Sequence, residues 1–157
     1  MKRSVSCFLL ALVVVATAQI AKADDSLDGL KCFIMVKRDV KGKKVMEYKG
    51  ADLYLCCSSC VKRMTKTPEK YEAKANHQLV QTGQFVQMAC PVSGEAISDS
   101  SPMLKIGLET GEVAVYFSSD EHKAKVASLE AEEQVETVFG KTGFETGKFT
   151  LKKEETS

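Results

Sequence analysis

Three of the chain's six cysteines fall within five consecutive positions, Cys56, Cys57 and Cys60, inside the stretch LYLCCSSCVKRMTKTPEKY from Leu53 to Tyr71. The apolar lead-in Leu53-Tyr54-Leu55 reads as a strand. The residues after it have helical character, with Val61 and Met64 on one side and Lys62, Arg63 and Lys66 on the other. Cysteines that close a strand and open a helix sit beside unpaired backbone N–H groups and the positive helix end, both of which lower a thiol pKa. That placement points to metal binding or redox chemistry rather than simple burial.

The first residues read as a leader rather than as fold. Lys2 and Arg3 precede an apolar run from Phe8 to Ala16, and Ala21-Lys22-Ala23 forms a small-x-small site before Asp24-Asp25. This is the layout of a secretory signal peptide over residues 1–23, cleaved after Ala23. The run is far shorter than the roughly 20 residues that span a bilayer, so no stable membrane anchor is expected. The protein is expected in the periplasm or outside the cell. Cys7 leaves with the leader, and Cys32, Cys56, Cys57, Cys60 and Cys90 remain. An odd set in an oxidising compartment leaves at least one thiol free, metal-bound or paired between molecules. The formal charge is +1, with lysines and glutamates interspersed, so no basic footprint for nucleic acid is present.

Along the chain, Cys32 to Val36 reads as a short strand, and the charged segment from Lys37 to Lys44 as an exposed loop. Val45 to Tyr48 and Leu53 to Cys56 make a hairpin about Lys49-Gly50-Ala51-Asp52. A helix is expected from Ser58, broken at Pro68 and resumed from Glu69 to Leu79. The pattern then restarts. Phe85 to Ala89 alternates like a strand, Met103 to Leu108 and Val113 to Phe117 form a second hairpin, and Ser118-Ser119-Asp120 caps a helix from Glu121 to Leu129. Tyr54 to Cys60 matches Tyr116 to His122 position for position, which reads as an internal duplication of about 60 residues. The stretch 140–157 reads as a C-terminal strand and a polar tail. His77 is expected to be exposed, and Met35, Met46, Met64 and Met88 to serve the core.

The spacing of Cys56 and Cys60, or of Cys57 and Cys60, lets a strand end and the next helix turn present two sulfurs to one ion. Cys32 folds back as a third. Three thiolates suit Zn²⁺ or Cu(I). Neighbours in a strand point to opposite faces, so Cys56 and Cys57 are not expected in one small site. A disulfide, such as Cys57 with Cys90 or with Cys32, is the competing reading. Cys57-Ser58-Ser59-Cys60 also has the C-x-x-C form of thiol–disulfide exchange proteins, but a hairpin precedes it where a βαβ unit is wanted. No nucleophile–base pair, phosphate loop or paired carboxylates are evident, and the chain is not expected to be an enzyme.

Cys32, Tyr48-x-Gly50, Leu53 to Cys60 and Pro68-Glu69-Lys70-Tyr71 together resemble the YHS/TRASH family of small treble-clef-like metal-binding domains. Cys90-Pro91-Val92-Ser93-Gly94 with Val115-Tyr116-Phe117 looks like a second, degenerate copy. The first copy has Phe33-Ile34-Met35-Val36 where the family has a Pro-x-x-Gly knuckle. The second keeps that knuckle but carries Ser118 and His122 where sulfurs are expected. The resemblance implies an α+β fold of two tandem treble-clef-like lobes, over residues 30–80 and 84–139. It implies Cys32, Cys56 and Cys60 as ligands with Cys57 as substitute or neighbour, and Cys90 with His122 as a poorer site. Heavy-metal sequestration, trafficking or sensing follows, with a metal-donor or acceptor protein as partner. The alternative is a disulfide-stabilised interaction module without metal.

Overall fold

The computed structural model describes residues 27–40 and 44–152. The expected signal peptide at 1–23, part of the charged loop and most of the polar tail lie outside these residues. Among the described residues, six strands and five helices follow one another in an α+β arrangement: β1 (Lys44–Tyr48), β2 (Ala51–Leu55), α1 (Ser58–Lys66), α2 (Glu72–Gln81), β3 (Phe85–Val86), β4 (Met103–Leu108), β5 (Gly111–Tyr116), α3 (Asp120–Ala127), α4 (Ala131–Phe139), α5 (Lys141–Thr146) and β6 (Thr150–Leu151). All sheets are two-stranded and antiparallel, pairing β1 with β2, β3 with β6 and β4 with β5. No helix among the described residues is long and apolar enough to cross a membrane.

The first hairpin turns through Lys49 and Gly50, at φ 54° and 77°. Two consecutive positive φ values are what a two-residue turn between twisted strands requires. In β2 the alternation buries Ala51, Leu53 and Leu55 and turns Asp52 outward. The chain leaves the strand at Cys56, passes extended through Cys57 and enters α1, whose buried face is Cys60 and Met64, one turn apart. Pro68 opens a 3-10 turn through Tyr71 before α2 begins. The second hairpin and α3 repeat this order, and Ser119 caps α3 by accepting the His122 N–H at 3.2 Å.

The structure corrects several expectations. The apolar run after Cys32 is not a strand: the chain bends there, closed by a single bridge between Lys31 and Asp39 and by the Cys32 N–H donating to the Arg38 carbonyl at 2.9 Å. Too few residues lie between Cys32 and that return for a strand pair to form. The expected C-terminal strand is present as Thr150–Leu151, paired with β3, but a helix not anticipated, α5, precedes it, and Phe144 and Phe149 stack on one another at 4.8 Å across the helix and its exit. Met35 and Met88 are exposed rather than core: Met35 lies in the bend after Cys32 and Met88 follows the end of β3 at Val86.

The core is one continuous cluster reaching from Leu30 to Phe149, so the two hairpin–helix units share it. Helix α2 lies at its centre and buries polar residues, His77 among them, against expectation. Its side chains hold the surrounding backbone. Gln78 accepts the Tyr54 N–H at 2.8 Å and donates to the Tyr54 carbonyl at 3.0 Å. Asn76 donates to the Phe139 carbonyl at 2.7 Å, and Gln81 to that of Thr110 at 2.8 Å. The ring of His77 lies edge-on to Phe139, with Nε2 at 3.3 Å from the Ile106 carbonyl. A carbonyl only accepts, so this contact assigns the proton to Nε2.

Two predictions follow from this centre. Gln78→Ala leaves both backbone groups of Tyr54 without their partner and should cost about 2–3 kcal/mol, read as a lower urea midpoint; an unchanged midpoint would show that the clasp is dispensable. Burial pushes His77 down to about 4 from 6.5, against the raising effect of its Ile106 contact. The unfolded chain therefore binds the extra proton first. Stability from this group is complete above pH 6.5 and is lost as the pH falls towards 4, by an amount on the order of 3 kcal/mol. His77→Gln should flatten that part of the pH–stability curve. An equally steep curve in the variant would assign the loss to other groups.

Candidate metal centre

Three separate segments converge on one point. The bend after the Lys31–Asp39 bridge supplies Cys32, the exit from β2 supplies Cys56, and the first turn of α1 supplies Cys60. Their sulfurs all lie within 4.8 Å of one another. Cys32 and Cys60 are fully buried and Cys56 is 9% exposed. The fourth sulfur, that of Cys57, stands 3.8 Å from Cys56 and 3.5 Å from Cys60, while Cys56 and Cys60 are 3.7 Å apart. The structure thus brings together adjacent cysteines that strand alternation separates. Strand β2 ends at Leu55, so alternation no longer governs Cys56 and Cys57. Extended backbone at Cys57, φ −164° and ψ 165°, turns its side chain towards the helix start.

The five cysteines among the described residues are free thiols. Whether an ion fits them is a matter of spacing. Sulfurs bound to a tetrahedral ion at about 2.3 Å stand about 3.8 Å apart. The distances among Cys56, Cys57 and Cys60 bracket that value, and the buried trio is within a small contraction of it. The donor set fits a soft or borderline cation.

The four thiols do not share protons equally. Burial raises Cys32, but the N–H groups of Cys56, Ile34 and Met35 and the Cys56 thiol outweigh it and hold Cys32 below the ordinary range. The backbone N–H and thiol of Cys60 bring Cys57 down to about 7, with the Cys56 thiol and Ser59 N–H assisting and slight burial opposing. The first turn of α1 carries no acidic residue, so nothing offsets the positive helix end there. Burial, with the Cys32 thiol next, pushes Cys56 up to about 11, and burial and the neighbouring sulfurs push Cys60 higher still.

The second unit places Cys90 and His122 together at the corresponding positions. Cys90 follows a bridge between Ala89 and Ala96, as Cys32 follows its own, and its N–H donates to the Glu95 carbonyl at 2.8 Å. Its sulfur is 3.9 Å from His122 Nδ1, and Ser118 Oγ is 3.0 Å from the same nitrogen. Ser93 Oγ reaches Ser118 Oγ at 3.1 Å and Glu95 Oε2 at 2.9 Å. Burial raises Cys90, and the N–H groups and hydroxyls of Ser118 and Ser93 outweigh it and bring the thiol down to about 7. Sequence reasoning missed Ser93 and Glu95; the Ser-Gly-Glu phrase after Cys90 was the available signal. No family model, curated protein or solved structure matches the chain.

In the metal-free protein at pH 8, brief iodoacetamide treatment should label Cys57 ahead of every other cysteine, since its sulfur is both depressed in pKa and half-exposed. Peptide mass spectrometry reads the order. Labelling of Cys56 or Cys60 first would contradict this distribution of protons.

Proposed function

We propose that this chain is an exported thiolate metal-binding protein, holding Zn²⁺ or Cu(I) through Cys32, Cys56 and Cys60. The observation that carries the reading is the convergence of three sulfurs from three segments to within 4.8 Å of one another. Unpaired thiols gathered in a core contribute little by hydrogen bonding, because S–H is a weak donor and sulfur a weak acceptor. A cation bound by two or three thiolates removes their mutual repulsion and ties the bend, the hairpin and α1 into one unit. The leader over residues 1–23 supports export, and the resemblance to YHS/TRASH domains supports sequestration, delivery or sensing of a heavy metal. On this reading the second unit is a treble-clef-like copy in which oxygen and nitrogen stand where the first has sulfur, and it serves mainly structure. The partner is a metal-donor or acceptor protein.

Residues 24–157, purified under reducing conditions and loaded with one equivalent of Zn²⁺, should carry one ion in native mass spectrometry. Cys56→Ser and Cys60→Ser should each lose it. Thermal unfolding should rise on zinc addition in the wild type and not in these variants, since only a ligand of the folded state stabilises it. Wild-type protein that holds no zinc and no copper would sink the proposal, and a disulfide pairing of the same cysteines would take its place.

A further inference from the structure

Cys57 is not simply a fourth copy of the buried ligands. The four sulfurs form two triangles that share the Cys56–Cys60 edge. The inner one is completed by Cys32, which is fully buried, and the outer one by Cys57, which is half-exposed. The outer triangle has sides of 3.8, 3.7 and 3.5 Å, as well suited to an ion as the inner one. Ser58 and Ser59 beside it are exposed, so the outer triangle faces solvent across small side chains. The inner triangle has no sulfur so placed.

We infer that Cys57 is the exchange ligand of the centre: metal is taken up and surrendered through the outer Cys56–Cys57–Cys60 triangle and stored in the inner Cys32–Cys56–Cys60 one. This rests on the metal-binding reading above and adds a route to it. Cys56 and Cys60 keep their bonds to the ion throughout. In storage the bond to Cys57 breaks as the bond to Cys32 forms, and any proton displaced from the Cys32 sulfur is balanced by one taken up at the released Cys57 sulfur. The oxidation state of the ion does not change. Release runs the same exchange backwards and presents the ion, now held by Cys56, Cys57 and Cys60, where the thiol or imidazole of an acceptor protein can reach it and displace Cys57. Soft cations suit this because their sulfur bonds exchange through an added ligand without first losing one.

Stopped-flow exchange of Zn²⁺ with a chromogenic chelator tests the route in the full mature chain. Cys57→Ser should slow both uptake and release by about tenfold or more, a larger effect than on equilibrium affinity, while Cys32→Ser should weaken affinity more than it slows exchange. Serine suits a helix N-cap, so the variant keeps the start of α1. As a second measurement, iodoacetamide should still label Cys57 in the zinc-loaded wild type while Cys32, Cys56 and Cys60 are protected. Exchange by Cys57→Ser at the wild-type rate would overturn the inference. So would equal protection of all four cysteines, which would make Cys57 a fixed ligand. Wild-type protein that takes up neither zinc nor copper would instead overturn the metal-binding reading itself.

Discussion

The structure depends on how the open edges of two small hairpins are closed. A two-stranded sheet leaves one edge of each strand unpaired, and an isolated hairpin is at best marginally stable in water. Here glutamine side chains take the place of the missing strand. Gln78 and Gln84 each bind both the N–H and the carbonyl of a β2 residue, Tyr54 and Asp52 respectively. Gln87 does the same to Tyr116 of β5, at 2.9 and 2.7 Å. Tyr54 and Tyr116 are the matching positions of the two units, each two residues ahead of the site residue that follows its hairpin. A primary amide carries a donor and an acceptor side by side, as a peptide unit does, so one side chain satisfies an edge residue completely.

That clasp is what positions the sulfurs. With Tyr54 held from α2 and Leu53 and Leu55 buried, the direction in which the chain leaves β2 is set before Cys56 is reached. Met64, on the same face of α1 as Cys60, anchors the other side. The cysteines are therefore held by packing on three elements rather than by a disulfide among themselves.

Much of this was legible in the sequence. The hairpins, the break at Pro68 and the start of α1 at Ser58 followed from local chemistry: turn residues, proline, and alternation in β2. Spacing grouped Cys32 with Cys60 and either Cys56 or Cys57; the choice of Cys56, and the pairing of Cys90 with His122, came from the resemblance to the YHS/TRASH pattern. What was not legible depends on contacts between distant segments. His77, flanked by Asn76 and Gln78, reads as a surface triplet, and only the packing of α2 between both hairpins shows that polar residues there serve backbone groups of other elements. The bend after Cys32 is apolar because it packs, not because it pairs. Helix α4 begins at Ala131 behind a capping box of Glu130 and Glu133, a pair that acid-rich surroundings obscure.

The two units also show why the same backbone position takes different chemistry. Around Cys90 the polar groups are complementary: hydroxyls of Ser93 and Ser118 link the carboxylate of Glu95 to the ring of His122, so each charge-bearing group has a partner within the protein. A network of that kind gains less from a cation, since its hydroxyls already bridge the carboxylate and the ring. Around Cys32 the groups are alike. Four sulfurs are weak donors and weak acceptors, two of them depressed towards thiolate, and their proximity returns only weak S–H···S hydrogen bonds against the repulsion of any two thiolates. Sameness of this sort is relieved only by protons, by oxidation or by a cation. Burial of Cys32 and Cys60 disfavours bare thiolates, and the free thiols show no disulfide among themselves. A soft cation would answer both demands at once, which is why the unit with four like ligands is better fitted to hold one than the unit around Cys90.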